Sequence, residues 1–416
     1  MSKIKFYPVD NGDTVLIKVD KTTIQIDANI RNSDDCYDVM GDLLDELTTD
    51  SEGRYHLDLF MLTHPDEDHC RGIDTNYYLG NPDDYSDDDL EDDLVIIDEL
   101  MVTPMLFSDA TSTPAKALKK EANRRRKLWD GDSPEKDKAG NRLVIIGYDG
   151  DKKYEKVPSY IPGETIKKVN GKTMPLLEFF VHSPFKDSLV DGRAESDKNV
   201  TSIVMQARFK YVRTNTEPSA LYLFGGDADH YIWEEIQNQS SSHSNKDKLD
   251  FDIFLAPHHC SWTYFNDVPY KKGETDEPVD SSKNLIKDHK TSGAVIIASS
   301  KQIKDDDDNP PHYPAKNEYV KLIGSDKFVS LAEEPDSKNP KPVVYEVTSS
   351  GFQRKDKNQQ TGSAGAAVGS SGTTGRKSTY GSKKRLSAIH RVYDEGSPAM
   401  CTKRCQKSRQ NAWRLF

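Results

Sequence analysis

The segment Thr63-His64-Pro65-Asp66-Glu67-Asp68-His69 places two histidines and three carboxylates in six consecutive positions, directly after the apolar run Leu57-Asp58-Leu59-Phe60-Met61-Leu62. A strand ending on such a loop delivers a metal site. Imidazole nitrogens and carboxylate oxygens are the ligands of Zn²⁺, Mn²⁺ and Fe²⁺, and a loop at a strand end can aim several of them at one point. The spacing H-x-D-x-D-H offers His64 and Asp66 to one ion and Asp68 and His69 to a neighbouring one. The alternative is a solvated acidic turn with two incidental histidines, and dense His/Asp clusters at strand ends are rarely accidental.

The pieces that complete such a site follow in order. Leu221-Tyr222-Leu223-Phe224 is an apolar strand running into Gly225-Gly226-Asp227, and Phe251 to Ala256 is another, ending on Pro257-His258-His259. Ala294 to Ser300 is a fourth, and His312 follows it in a Pro-rich loop. Each candidate ligand stands just beyond a β-rich run, so the four strand ends are expected to share one rim.

This order resembles the metallo-β-lactamase superfamily, in particular the hydrolase domain of ComEC-type DNA-uptake proteins. Asn11-Gly12-Asp13-Thr14-Val15-Leu16-Ile17 is similar to the family's opening hairpin, and Ile24-Gln25-Ile26-Asp27 to its next strand. Asn199 to Val204, Phe224 to Asp227 and His258-His259-Cys260-Ser261 resemble the later motifs. The likeness covers residues 1 to 350 as spaced motifs with long insertions. It implies an α/β (α+β) fold, an αββα sandwich with the ligand loops gathered at one edge.

Two departures stand out. Where zinc enzymes of the superfamily often carry a histidine before the middle strand, this chain has Asn199, with His182 well upstream. His182 follows an apolar run and reads equally as a structural histidine, so the third ligand of the first metal stays open between these positions. Cys260 replaces the family's glycine and is read as a small apolar filler rather than a soft ligand.

Residues 1–350 form the expected hydrolase domain. Residues 351–416 read as a linker rich in Gly, Ala and Ser followed by a basic tail. The tail carries fourteen Lys/Arg and three Asp/Glu, so it holds +11 while the first 350 residues hold −23 of the net −12. Such a tail suits nucleic acid, an acidic partner or the protein's own acidic surface. No apolar run reaches the ~18 residues of a membrane span, and no signal-peptide core is present, so a cytoplasmic location and no membrane partner are expected. Five cysteines, Cys36, Cys70, Cys260, Cys401 and Cys405, suit a reducing compartment rather than a disulfide framework.

Two insertions precede the middle strand. The acidic block Asp83 to Asp93 reads as a solvated loop. Pro114 to Trp129 reads as a helix capped by Thr113, its outer face basic with Lys116, Lys119, Lys120, Arg124, Arg125, Arg126 and Lys127. If that helix flanks the metal cleft it would attract a phosphate-bearing substrate.

The resemblance implies two divalent ions, Zn²⁺ or Mn²⁺, about 3.5–4 Å apart, with Asp227 as the shared carboxylate and a water activated near neutral pH. The expected ligands are His64, Asp66, Asp68, His69, Asp227, His258 and His312. Asp68 orients the nucleophile, and His258 stabilises or protonates the leaving oxygen, with His259 the alternative member of the pair. The expected activity is a phosphodiesterase or nuclease acting on nucleic acid or nucleotides. Hydrolysis of another ester, thioester or lactam and a metal-stabilised binding module are the alternatives.

Overall fold

Alternation along the strands sorts the chain into four layers. The computed structural model describes residues 2–33, 35–147, 150, 152–190, 198–267, 277–306 and 310–355. These lie within one compact unit, Met1–Ser363. The tail, with Cys401 and Cys405, falls outside the described residues.

The first sheet runs β7 (Ser159–Tyr160), β6 (Arg142–Ile146), β5 (Val95–Val102), β4 (Tyr55–Met61), β3 (Thr22–Ile26), β2 (Val15–Val19), β1 (Lys3–Phe6), β15 (Val343–Thr348) and β16 (Gly351–Arg354). The second runs β8 (Thr165–Ile166), β9 (Leu177–Ser183), β10 (Val204–Phe209), β11 (Ala220–Phe224), β12 (Phe251–Leu255), β13 (Lys290–Ala298) and β14 (Phe328–Ser330). Leu59 and Met61 of β4 meet Tyr222, Phe224, Ile253 and Leu255 of the second sheet in the central core. Phe60 and Leu62 instead pack under α1 (Val39–Glu46) and α3 (Thr113–Asp130). Leu223, Phe254 and Ile296 pack under α4 (His230–Ser242), α5 (Asp280–His289) and α6 (Tyr313–Ile323). One residue of offset sends a side chain to the opposite face, which is how helix, sheet, sheet and helix each obtain an apolar surface. The fold is the expected αββα sandwich.

The parallel strands position the site. β3 to β6 are mutually parallel, as are β11 to β14, so the loops following them gather at strand C-termini. The loop after β4 is tied to the second sheet where the Ile203 N–H donates to the Thr63 carbonyl at 3.0 Å.

Several expectations change. The acidic block is not all loop. α2 (Asp87–Glu91) is a short helix, because Ser86 and Asp89 cap each other's backbone in a capping box and three aspartates stand in the first turn. Ser112, not Thr113, caps α3. Arg125 is not on its outer face: it is 1 % exposed, pairs with Glu121 at 2.7 Å and donates to the carbonyls of Ile97 and Arg142. Arg124 likewise turns to Glu121, Asn141 and the Gly140 carbonyl. Arg142 begins β6, whose C-terminal end faces the rim, so these two arginines lie at the edge remote from the metal motif. The folded body also continues past residue 350, since β16 pairs with β15.

One buried acid in β5 makes stability depend on pH. Glu99 is 6 % exposed, and burial pushes its carboxyl from 4.5 up to about 7 although Arg142 and Arg125 oppose this. A folded value above the unfolded one means that the neutral carboxyl contributes fully below about 4.5 and that this contribution is lost as pH rises toward about 7. Glu99→Gln is expected to stabilise the protein by up to about 3 kcal/mol at pH 8 and to change little at pH 4. Urea unfolding at both pH values checks this, and an equal effect at both would contradict it.

Candidate metal centre

Asp27 organises the rim from below. It ends β3 in a left-handed conformation (φ 56°), is fully buried, and accepts both the Thr63 N–H and the Thr63 hydroxyl at 2.7 Å. Its Oδ2 also lies 2.8 Å from His69 Nδ1. One carboxylate thereby fixes the start of the H-x-D-x-D-H loop and the ring of its last histidine. A carboxylate behind a histidine is a recurrent support for metal ligands, because it sets the tautomer and raises ring basicity.

Tautomers decide which ring nitrogens face inward. The His69 Nδ1–H donates to Asp27, leaving the Nε2 lone pair free. The Thr63 hydroxyl hydrogen is spent on Asp27, so its oxygen accepts from His64 Nδ1 at 3.1 Å. The Thr263 hydroxyl donates to Ser261, so its oxygen accepts from His258 Nδ1 at 3.2 Å. His259 Nδ1 stands 3.1 Å from both the Ser299 carbonyl and the Gly12 amide, two groups that ask opposite things of it. The Asp13 carboxylate 3.7 Å away favours the protonated nitrogen, which donates to Ser299. In their neutral forms all four histidines therefore carry the lone pair on the inward Nε2.

His312 is held the other way round. Its Nδ1 accepts the Trp262 N–H at 2.9 Å, so in the neutral ring the hydrogen sits on Nε2. Burial pushes His312 down to about 4, which keeps it neutral. In that tautomer Nε2 carries the hydrogen rather than the lone pair a metal would need.

The inward atoms fall into two groups that share Asp227. On one side Asp227 Oδ1 is 3.1 Å from His69 Nε2 and 3.5 Å from His259 Nε2, His69 and His259 are 3.2 Å apart, and Asp68 Oδ2 is 3.3 Å from His259. Four ligands around a tetrahedral Zn²⁺ with bonds of 2.0–2.1 Å are separated by roughly 3.3 Å, which these distances match. On the other side Asp227 Oδ2 is 3.5 Å from His64 Nε2 and 3.6 Å from His258 Nε2, with Asp66 Oδ2 3.8 Å from His64. Two imidazole lone pairs facing each other at 3.2 Å beside carboxylates repel unless a cation or proton lies between them. Among the described residues, His64 Nε2 and Asp227 Oδ1 are buried with no hydrogen-bond partner. The donor set therefore fits divalent metal ions.

Electrostatics agree with the geometry. Burial alone would raise Asp227, yet His258, His69, His259 and His64 hold its carboxyl well below the usual range. His259 is driven down by burial but pushed up to about 10 by Asp227, Asp13 and Asp68. His69 is likewise raised by Asp227 and Asp27. Positive charge is wanted where the Nε2 atoms converge, and metal binding supplies it by displacing protons.

The backbone is strained to achieve this. His258, His259 and Cys260 are consecutive left-handed residues, with φ of 50°, 55° and 66°. Each costs about 1–2 kcal/mol in that region, where only glycine is at ease. The coil turns both histidine rings to the same carboxylate. Gly226 (φ 49°) lets the neighbouring loop close, since a Cβ there would meet Thr63 Oγ1 at 2.7 Å.

Of the expected ligands, His64, Asp66, Asp68, His69, Asp227 and His258 converge. His259, the alternative member of the pair, joins them, 1 % exposed and on the Asp68 and His69 side. The HH dipeptide was its signal, and only the left-handed backbone explains why both rings point inward. Asp27 was visible only as the end of one similar motif and Asp13 only within another. His182 lies elsewhere: it bonds the Lys248 carbonyl at 2.9 Å, and burial pushes it down to about 4. Asn199 falls in the turn Lys198–Thr201 and accepts the Ser202 N–H. Cys260 is fully buried in the cluster under the outer helices.

No protein-family model matches this chain, and no curated protein matches it. Solved structures similar to it include the metallo-β-lactamase fold protein YhfI from Bacillus subtilis, at 11 % identity and TM-score 0.34, covering 83 % of this chain and 99 % of that one. Igni18, a metallo hydrolase from Ignicoccus hospitalis, aligns at 12 % identity and TM-score 0.37, over 83 % and 100 %. A diphosphatase of the PhnP family aligns at 11 % identity and TM-score 0.33, over 84 % and 98 %.

Proposed function

We propose that the protein is a metal-dependent hydrolase of phosphodiesters, acting on nucleic acid or nucleotides. The observation that carries the hydrolase reading is the division of the ligands into two groups that share Asp227, with one carboxylate oxygen turned to each. Two divalent ions bound there would supply Lewis-acid polarisation and acidify water toward neutral pH.

The chain's own residues give the site a direction. His64, His69 and His259 form a sealed back wall, while the side chains of Asp66, Asp68 and His258 are 35 %, 34 % and 22 % exposed. Substrate enters from that side, where Asp68 orients the attacking water and His258 would help hold the metal through Nε2. The phosphodiester assignment draws its support from the likeness of the motifs to the ComEC-type domain.

Metal analysis of the purified chain, combined with turnover of bis-p-nitrophenyl phosphate in added Zn²⁺ or Mn²⁺, tests the proposal. Bound metal together with metal-dependent release of p-nitrophenol is expected. A fully loaded protein that leaves the diester intact would reject the phosphodiesterase reading.

A further inference from the structure

A polar pocket opens beside Asp68, away from the sealed wall. Its volume is about 380 Å³, and every residue lining it is polar or charged, including Arg31, Arg71 and Lys301. Among its lining residues there is no aromatic or aliphatic side chain for a base or acyl chain to rest on. Asp68 belongs both to this pocket and to the ligand group, where it sits 3.3 Å from His259. Whatever fills the pocket therefore lies next to the reacting group.

The pocket is built rather than incidental. Asn11 accepts the Lys301 N–H at 3.1 Å and donates to the Pro310 carbonyl at 2.8 Å, while Asn29 donates to the Val9 and Asn11 carbonyls. Gly12 is required beside it, since a Cβ there would stand 2.1 Å from Asn29 Nδ2. Three chain segments are thus pinned around one opening.

Its charge selects an anion. Asp10 and Glu67 are the acids left once Asp68 is counted with the metal ligands, so three cations outweigh two carboxylates. In a body that is strongly acidic, a locally positive cleft is where a phosphate concentrates. Arg31 spends one guanidinium hydrogen on Asp10 at 2.8 Å, and its Nε–H is shielded from water with no acceptor in the protein. Arg71 pairs with Glu67 at 3.3 Å, both well exposed, an arrangement weak enough to re-pair. Guanidinium forks match phosphate oxygens.

We propose that this pocket binds a second phosphate of the substrate, so that the preferred substrate carries a phosphate adjacent to the scissile one, as along a polynucleotide strand. The inference rests on the phosphodiesterase reading of the metal centre. Thymidine 3′,5′-bisphosphate, thymidine 5′-monophosphate and thymidine 3′-monophosphate are suitable probes, titrated calorimetrically into the metal-loaded full chain. The bisphosphate is expected to bind at least tenfold more tightly than either monophosphate, with an advantage that shrinks as salt rises.

The triple variant Arg31→Gln, Arg71→Gln, Lys301→Gln should lose that advantage. Arg71→Gln alone, at an exposed position where folding is not at stake, should lose part of it. Equal affinities for mono- and bisphosphate in the parent protein, or an undiminished advantage in the triple variant, overturn the proposal. Bisphosphate preference without turnover of bis-p-nitrophenyl phosphate would reject the phosphodiesterase reading and leave the pocket standing. Turnover without the preference would do the opposite.

Discussion

Asp227→Asn is expected to lower metal affinity at least 100-fold and to reduce phosphodiester turnover by three orders of magnitude or more, while the sheets stay assembled. The carboxylate is 3 % exposed and faces four histidine Nε2 atoms at 3.1 to 3.6 Å through its two oxygens. Asparagine keeps the shape but removes the charge and puts an N–H₂ donor where one oxygen must ligate. Loss of a supporting group alone costs 10–100-fold in metal affinity, and loss of a shared ligand acts on both groups at once. Folding should survive because Asp227 lies in the loop after β11 and contributes nothing to the apolar clusters. Metal content by mass spectrometry, far-UV circular dichroism and diester turnover check the three parts separately. Normal metal content in the variant would remove Asp227 from the shared position.

Much of this arrangement was legible in the sequence because it is carried by short local patterns. A strand of alternating apolar residues followed by His and Asp needs no tertiary information to read, and β4, β11, β12 and β13 all lie where the apolar runs place them. What could not be read is set by contacts distant in sequence or by backbone conformation. The fate of His312 depends on the Trp262 amide, fifty residues earlier. Arg125 looks like one more surface cation until β5 and β6 bring the Ile97 and Arg142 carbonyls to it. Asp27 serves His69 across 42 residues. The HH dipeptide hides its answer most fully, since in ordinary helical or extended backbone the two rings would diverge, and only the left-handed run turns both to Asp227.

That run yields the sharpest remaining expectation. His259→Ala should empty the group containing Asp68 and His69, whereas His258→Ala should empty the group containing His64 and Asp66, so each variant should fall from two bound ions to one. Asp68 approaches His259 at 3.3 Å, while His258 reaches Asp227 through Oδ2, the oxygen that also faces His64. The two losses should differ in stability as well. His259 is fully packed and holds the Ser299 carbonyl, so its removal leaves a cavity and an unmet acceptor worth about 2–4 kcal/mol together. The His258 side chain, 22 % exposed, should cost less, and relief from the left-handed conformation does not separate them, because alanine inherits the same φ in both. Metal stoichiometry after dialysis, cobalt absorption spectra of each variant and thermal unfolding of the metal-free forms measure these outcomes. Two ions retained in His259→Ala would show that the ring only packs beside the site, and would return the second group to Asp68, His69 and Asp227 alone.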